Sequence, residues 1–301
     1  MMTSRPDAIP HSGVAVIDKP AGRTSHQVVA KVRHIVGTRK VGHAGTLDPM
    51  ATGVLVIGIG RATRLLGYLA LTEKAYQATI RLGIATVSDD ADGEMTASAG
   101  AGGVTDDQIG PALARLRAKR LQVPSSVSAI KINGVRSYAK VRSGQDVVLS
   151  PRQVIIHKFD VLDRRDLEVD GVTVVDLDVI VECSSGTYVR ALARDLGTTL
   201  GTGGHLTALR RTRVGPFTLE QAQTIDEAER GLRIVPLADV VRSSFATLTV
   251  NETQANDIRH GRRLVGVVLP DRTTALLEQT GSFLALYRQE GPDAVAEAVF
   301  L

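Results

Sequence analysis

Two long segments of alternating apolar residues constrain the fold most. Residues 154–162 and 172–183 place apolar side chains at alternate positions over much of their length. A period of two is typical of a β-strand with one buried face, and we expect the two segments to be antiparallel neighbours. Lys74–Leu82 also alternates. Its apolar face comprises Tyr76, Ala78, Ile80 and Leu82. The pattern predicts a largely antiparallel sheet.

Two further segments follow a helical period. Thr24 and Ser25 can cap a helix whose apolar side is formed by Val28, Val29, Val32 and Ile35. Residues 187–200 carry Val189, Leu192, Leu196 and Leu200 at helical spacing. The apolar run Val54–Ile59 predicts a buried strand, whereas the glycine-rich residues 37–53 predict an irregular loop. Residues 97–105 predict a flexible surface loop. The fold class is therefore mixed, α/β in content and α+β in arrangement.

The pattern changes near residue 244. The chain of 301 residues is long enough for one large domain or two domains of ordinary size. After residue 244 the sequence shows short strands and turns, with strands expected at 247–250 and 282–287. We expect a domain over residues 1–244 and a small β-rich module over residues 245–301.

Positive charge is segregated along the chain, although the net charge is only +4. Residues 108–145 contain no acid, and the three arginines Arg210, Arg211 and Arg213 follow a glycine-rich turn. Basic blocks of this kind suit a nucleic acid, because each neutralised phosphate releases counterions. The alternative is a set of solvated faces. With five Tyr, five Phe and no Trp, a wide stacking platform is not expected, so recognition should rest on charge and shape.

Several common site types and locations are disfavoured. The chain has one cysteine, Cys183, and its seven histidines are scattered, which argues against a metal site. Neither a phosphate loop nor a full dinucleotide fingerprint is present. We expect no metal, nucleotide or other cofactor. Residues 1–7 lack the apolar core of a signal peptide, and no apolar run is long enough to cross a bilayer. We therefore expect a cytoplasmic protein without a membrane partner.

The segment GHAGTLDPMATG, residues 42–53, isolates one carboxylate in a glycine-framed loop. Asp48 is the single acid between Asp18 and Glu73. That interval holds eight cations, namely Lys19, Arg23, Lys31, Arg33, Arg39, Lys40, Arg61 and Arg64. Such surroundings should keep the carboxylate ionised, as a nucleophile requires. The bland alternative is an Asp-Pro turn whose side chain bonds its own backbone.

This loop resembles the catalytic loop of the TruB family of tRNA pseudouridine-55 synthases. Four further segments are similar to family motifs, and the resemblance runs from about residue 13 to about residue 217. They are DKPAGRTS at 18–25, KAY at 74–76, CSSGTYVR at 183–190 and GHLTALRRT at 204–212. One departure is Arg64, where the family pattern has lysine.

The resemblance implies roles for particular residues. It makes Asp48 the nucleophile, Arg190 the cation that orients it, and Tyr76 the aromatic that stacks on the base and can take the C5 proton. Whether Asp48 attacks C1′ or C6 stays open. The substrate-binding residues that it implies are His43, Arg64, Asp90, Tyr188 and Leu209. His43 would fill the space that a flipped-out uridine leaves.

The resemblance also implies a partner and an architecture. The partner is the T-arm of tRNA, the catalytic domain has the pseudouridine synthase fold, and the carboxy-terminal module is PUA-like. We expect a monomer. Two other classes remain open: a non-catalytic RNA-binding or RNA-chaperone protein, and a glycoside hydrolase. The hydrolase would need a second carboxylate about 5–10 Å from Asp48, and Asp90 could approach in space.

Overall fold

The computed structural model describes residues 12–127 and 149–300, and the backbone of residues 131–132 and 135–136. The expectation about residues 1–7, and the basic side chains at 128–145 of the acid-free stretch, therefore lie outside what the structure describes. The strands are β1 (Gly13–Lys19), β2 (Val41–Ala44), β3 (Thr52–Ile59), β4 (Lys74–Leu82), β5 (Ala85–Thr86), β6 (Met95–Ala97), β7 (Leu121–Gln122), β8 (Lys131–Ile132), β9 (Val135–Arg136), β10 (Arg152–Gln153), β11 (Ile156–Val169), β12 (Val172–Cys183), β13 (Gly204–Val214), β14 (Phe217–Thr218), β15 (Val235–Pro236), β16 (Ala246–Val250), β17 (Thr273–Glu278), β18 (Phe283–Glu290) and β19 (Asp293–Val299). The helices are α1 (Ser25–Val36), α2 (Leu66–Ala70), α3 (Asp106–Ala118), α4 (Val189–Leu200), α5 (Ile225–Arg230), α6 (Leu237–Ser244) and α7 (Glu252–Arg259), with 3₁₀ turns at Gly60–Arg64 and Leu219–Gln221.

A large mixed sheet forms the centre of the molecule. Its described strands run in the order β11-β12-β4-β13-β3-β1-β15, with β14 beside β13 and β2 beside β3. The neighbouring pairs β11–β12, β12–β4 and β4–β13 are antiparallel, whereas β13 and β3 are parallel. The predicted antiparallel pairing of the two long segments is confirmed, as is the strand at residues 74–82.

The helices cover the sheet and enclose separate apolar clusters. Helix α1 begins after Thr24, whose side chain accepts a hydrogen bond from the Gln27 amide in a capping box, so the predicted amino-terminal cap is confirmed. One cluster joins α3 and α4 to β4, β12 and β13. Another joins α1 to β1 and β3. No helix in the described part of the chain is long and apolar enough to span a bilayer.

Two predicted loops differ from the structure. The prediction of an irregular loop over residues 37–53 is wrong in part, because β2 lies within it and pairs antiparallel with β3. The prediction of a surface loop over residues 97–105 is also wrong in part. Ala101 and Val104 are buried there and pack with the cluster under α3. In both places the contacts come from residues outside the segment itself, which its own composition does not report.

A second, smaller sheet forms the carboxy-terminal part of the chain, as predicted. Its order is β16-β17-β18-β19, and β16 and β17 pair parallel. One face of this sheet packs with α7 in an apolar cluster of its own, whereas the other face shares a cluster with the large sheet. Phe283 and Phe300 belong to the same buried cluster as Val14 and Val16 of β1. The small sheet and the large sheet therefore share apolar packing.

Candidate active site

A cavity of about 260 Å³ opens where the Asp48 loop, β4, β13 and the start of α4 meet. Five residues that the sequence assigned to the site line it together, namely Asp48, Tyr76, Tyr188, Arg190 and Leu209. They come from segments up to 161 positions apart, since Leu209 and Asp48 differ by that number. The fold, rather than local sequence, brings them together.

The Asp48 loop is held from three sides. The Ser25 hydroxyl of α1 accepts a hydrogen bond from the Leu47 amide at 2.9 Å and donates to the Leu47 carbonyl at 3.1 Å. The buried ammonium of Lys19 donates to the Pro49 carbonyl at 3.1 Å. Gly53 ends the loop with φ +100°, and a Cβ there would lie 2.2 Å from the carbonyl oxygen of Arg211. These contacts fix the backbone on both sides of Asp48.

Arg190 contacts both carboxylate oxygens of Asp48 through two N–H groups. Its Nε lies 3.0 Å from Oδ2 of Asp48, and its Nη2 lies 3.1 Å from Oδ1. The remaining nitrogen, Nη1, donates to the Ser88 carbonyl at 2.8 Å and lies 3.2 Å from Oδ2 of Asp90. The Arg190 side chain is 5% exposed, whereas that of Asp48 is 37% exposed and faces the cavity. The planar fork therefore orients the carboxylate from behind.

The ionisation of Asp48 differs from the expectation. Burial raises the pKa of Asp48 above its ordinary value, the Arg190 charge opposes that rise, and the Asp90 charge adds to it. The neighbourhood is free of other acids along the sequence but not in space, because Asp90 contacts the same arginine. Lys19, one of the eight expected cations, does favour the ionised form. Burial thus works against the basic surroundings on which the sequence interpretation relied.

Aromatic and apolar groups form the cavity wall. Tyr76 on β4 is 6% exposed, and burial raises the pKa of its hydroxyl to about 12, although the Arg211 charge acts in the opposite direction. Leu209 on β13 is 7% exposed. Tyr188 precedes α4, and its backbone exchanges two hydrogen bonds with the side chain of Gln122. Such a wall suits a flat ring placed between aromatic and aliphatic side chains.

His43 and Arg64 do not line the cavity. His43 lies on β2, two positions before the cavity residue Gly45, and its ring meets that of His26 edge-on at 5.5 Å. Burial lowers the pKa of His43 to about 4, so its ring is neutral near pH 7. Arg64 lies over the Phe300 ring at 5.0 Å and donates to the Val299 carbonyl. The structure therefore separates Arg64 from the other predicted substrate-binding residues.

Two buried cations in the cavity lining escaped the sequence analysis. Lys74 is 6% exposed and Arg211 is 1% exposed. Lys74 donates to the carbonyls of Ala70 and Thr72, and burial lowers its pKa to about 8. Arg211 has the same strand parity as Leu209, an apolar wall residue, and this alternation is the signal that could have placed it inside.

The basic cluster of Arg210, Arg211 and Arg213, which the sequence analysis assigned to a nucleic-acid surface, makes contacts within the protein, and Arg211 is buried. Arg211 donates to the carbonyls of Val54, Thr46 and Gly45, all of them on or beside the Asp48 loop. Its neighbours Arg210 and Arg213 form ion pairs with Asp18 and Glu182. These arginines support the sheet and the loop. Within the described residues, no group of three or more His, Cys, Asp or Glu side chains is placed to hold a metal ion.

Two family models match adjacent parts of the chain. The model of the TruB family pseudouridylate synthase amino-terminal domain matches residues 33–189, and that of the tRNA pseudouridylate synthase B carboxy-terminal domain matches residues 190–234. The chain is 52% identical over 297 residues to tRNA pseudouridine synthase B of Paenarthrobacter aurescens, covering 96% of this chain and 95% of that protein. It is 54% identical over 282 residues to the protein of that name from Cutibacterium acnes, covering 93% and 94%.

Solved structures show the same fold. A chain in the crystal structure of a Cbf5-Nop10-Gar1 complex superposes with a TM-score of 0.69 at 25% identity, covering 97% of this chain and 85% of that one. A chain in an H/ACA RNP bound to a substrate RNA that contains 2′-deoxyuridine gives a TM-score of 0.66 at 25% identity, covering 96% and 85%. Sequence, fold and site lead to one conclusion: this chain belongs to the TruB family of pseudouridylate synthases.

Proposed function

We propose that this protein isomerises uridine to pseudouridine at position 55, in the T-loop of tRNA, with Asp48 as the nucleophile. The observation that carries the proposal is the Asp48–Arg190 pair at the base of an open cavity. Arg190 holds both carboxylate oxygens from the buried side, while the carboxylate remains accessible from the cavity. The names of the relatives in other bacteria support tRNA as the substrate.

The reaction requires little beyond one carboxylate and a shaped cavity. The N1–C1′ bond breaks, the uracil ring turns, and a C5–C1′ bond forms, with the C5 proton lost and one proton gained at N1. Asp48 can attack either C1′ or C6 of the uridine. Arg190 keeps the attacking oxygen in place and stabilises its charge. The isomerisation itself neither gains nor loses electrons.

Tyr76 is best suited to stacking on the uracil. Burial raises the pKa of its hydroxyl to about 12, so the phenol keeps its proton near pH 7 and is a weak base. Its ring faces the cavity together with Leu209 on the neighbouring strand. We propose that these two side chains sandwich the base while it turns, and that Tyr188 lines the remaining wall.

The substrate must reach the cavity as a flipped-out nucleotide. Extruding a base costs a few kcal/mol, part of which a protein group can offset by filling the vacated space. We propose the neutral ring of His43 for this role, because it lies on β2, five positions before Asp48. We propose that the enzyme acts as a monomer on the T-arm.

Mapping of pseudouridine in an unmodified tRNA transcript tests the proposal. We expect the purified protein to modify position 55 without added metal or nucleotide, and Asp48→Asn to abolish turnover while tRNA affinity changes less than about twofold. Asp176→Asn is the matched control, because Arg81 holds Asp176 by the same two-point fork, with both distances 2.8 Å, outside the cavity.

The possible outcomes separate the open classes. Retained activity in the Asp48→Asn protein would remove Asp48 from the mechanism. Tight tRNA binding by the unsubstituted protein with no pseudouridine formed would instead indicate an RNA-binding or RNA-chaperone protein. Release of free uracil would indicate hydrolysis.

A further inference from the structure

Two consecutive aspartates pair with two arginines that lie one helical turn apart. Nη1 of Arg190 is 3.2 Å from Oδ2 of Asp90, and Nη1 of Arg194 is 3.2 Å from Oδ2 of Asp89. Both arginines belong to α4, and residues four apart share a helix face. The turn at Asp89 and Asp90 is thus attached to α4 at two points, of which only the Asp90 point touches the arginine that holds Asp48.

The turn has an unusual backbone that needs support. Asp89 has a φ of 59°, in the left-handed region that residues other than Gly, Asn and Asp rarely adopt. Its amide donates to the Thr86 carbonyl at 3.3 Å, and its carbonyl accepts from the Leu206 amide of β13 at 3.0 Å. Residues 88–90 therefore project between β13 and α4 in a fixed conformation.

Arg194 also secures a third segment, residues 123–125. Its Nη2 donates to the Val123 carbonyl at 2.8 Å, and Nη1 lies 3.4 Å from the Pro124 carbonyl. The next residue, Ser125, donates through its hydroxyl to the Ser88 carbonyl at 3.0 Å. That carbonyl is the one to which Nη1 of Arg190 donates. Arg194 is thus connected in two ways to the turn that contacts Arg190: through its ion pair with Asp89, and through the segment that carries Ser125.

We propose that Arg194 and Asp89 form a positioning pair, which holds the 88–90 turn so that Arg190 presents its two-point fork to Asp48. The inference rests on the proposed function of Asp48 and Arg190. Neither Arg194 nor Asp89 lines the cavity, so neither is a catalytic residue. The 88–90 turn holds one edge of the Arg190 guanidinium, since Nη1 contacts the Ser88 carbonyl and Asp90. The other edge of the guanidinium faces Asp48, so a displaced turn would also displace the nitrogens that contact Asp48.

The Asp89–Arg194 pair is largely shielded from water. The side chain of Asp89 is 10% exposed and that of Arg194 is 29% exposed. Burial raises the pKa of Asp89, while the Arg194 charge acts against that rise. Removal of Arg194 would take away the largest charge that favours the ionised Asp89, leaving the weaker effects of Ser125 and Arg190, and the turn that carries Asp89 would be free to relax.

Single-turnover pseudouridine formation against pH is the test, with Arg194→Met, Arg194→Lys and Asp89→Asn. A displacement of about 1 Å can cost up to about 100-fold in rate, so we expect Arg194→Met to lose on the order of tenfold or more, with tRNA affinity within about twofold. Arg194→Lys should regain part of that loss. Asparagine keeps the left-handed backbone accessible, so Asp89→Asn reports on the ion pair rather than on the turn.

The pH profile provides the readout that a merely structural role would not move. The charges that act on Asp48 are those of Arg190, Asp90 and Lys19. If Arg190 swings away, Asp48 loses its cation and its pKa rises, so the acidic limb should move to higher pH. The double variant Asp89→Asn/Arg194→Met should be no slower than the worse single variant, because each substitution removes the same ion pair.

Arg164→Met is the matched control. Arg164 contacts two carboxylates, Asp106 and Asp166, and the Val104 carbonyl, outside the cavity lining. We expect its rate and pH profile to match those of the unsubstituted protein. An unshifted pH profile in all three test variants, or a loss equal to that of Arg164→Met, would overturn the positioning role. If Arg194→Met fails to fold, the lysine and asparagine variants decide. Absence of pseudouridine with the unsubstituted protein would instead overturn the proposed function itself.

Discussion

The guanidinium of Arg190 offers shape as well as charge to Asp48. Its Nε and Nη2 each meet one carboxylate oxygen, at 3.0 and 3.1 Å. Lysine is a compact ammonium and cannot reproduce this fork. We expect Arg190→Lys to lower the single-turnover rate by on the order of 10- to 100-fold although the charge is kept, and Arg190→Met to lower it further. Rates measured at saturating enzyme, with tRNA affinity in parallel, check this. Rates near that of the unsubstituted protein for Arg190→Met would show that Arg190 is structural.

The pH dependence of the reaction follows from the burial of Asp48. Its pKa is raised chiefly by burial, and the carboxyl must lose its proton to act as a nucleophile. The active fraction should therefore fall, as the pH is lowered, at a higher pH than the value of about 3.9 for an unperturbed aspartate. Single-turnover rates between about pH 4 and 8 measure the midpoint. The Asp176→Asn protein should give the same profile, and a midpoint at or below the ordinary aspartate value would contradict the prediction.

At the scale of elements, sequence patterns predicted what local periodicity controls. The strand at residues 74–82 and the cap at Thr24 follow from spacing and capping chemistry alone. Strand β2 was missed because its partner strand, not its own glycine-rich sequence, makes it a strand.

The site shows the same division. Asp48, Tyr76 and Arg190 lie in distinctive motifs, and the resemblance to a family identified them. The role of Arg211 depends on carbonyls of a loop about 160 positions away in the sequence, so a basic cluster was interpreted as surface. Asp90 reaches Arg190 from a separate turn, and no linear pattern shows that contact.

Two glycines in helices should respond oppositely to alanine. A Cβ at Gly197 of α4 would lie 2.1 Å from the Gly203 carbonyl carbon, whereas one at Gly67 of α2 has no non-neighbouring atom within 4 Å. Gly197→Ala must push α4 away from β13, and we expect it to cost about 1–3 kcal/mol of unfolding free energy. Gly67→Ala should instead stabilise by about 0.5–1 kcal/mol. Urea unfolding checks both, and equal effects would show that α4 can shift freely.

At the scale of the whole molecule, folding redistributes the charge that the sequence segregates. The acid-free block at residues 108–145 acquires acids from elsewhere, since Arg117 pairs with Asp160 and Lys119 with Asp195. Both cations remain exposed, as does Arg120. This surface can still bind phosphates, but two of its cations already have partners.

Reversing Arg117, Lys119 and Arg120 to glutamate should weaken tRNA binding and flatten its salt dependence. Each lost phosphate contact lowers the slope of log K against log salt by about 0.7–0.9. The single-turnover rate at saturation should change less than the affinity. Filter binding across a salt series measures the slope, and Asp160→Asn, which frees Arg117, should leave it equal or steeper. An unchanged slope in the triple variant would place this surface outside the tRNA contact.

The apolar cluster that joins the two sheets connects the end of the chain to the helix that leads to the cavity wall. Arg61 and Arg64 donate to the carbonyls of Phe300 and Val299, and Tyr68 of α2 meets Phe245 edge-on. The same helix ends at Ala70, which lines the cavity. The molecule should consequently melt as one cooperative unit rather than as an enzyme with a detachable appendage. Evolution is then not free to exchange the shared face of the last strands for the sake of RNA contacts alone, because those side chains also pack against the catalytic half.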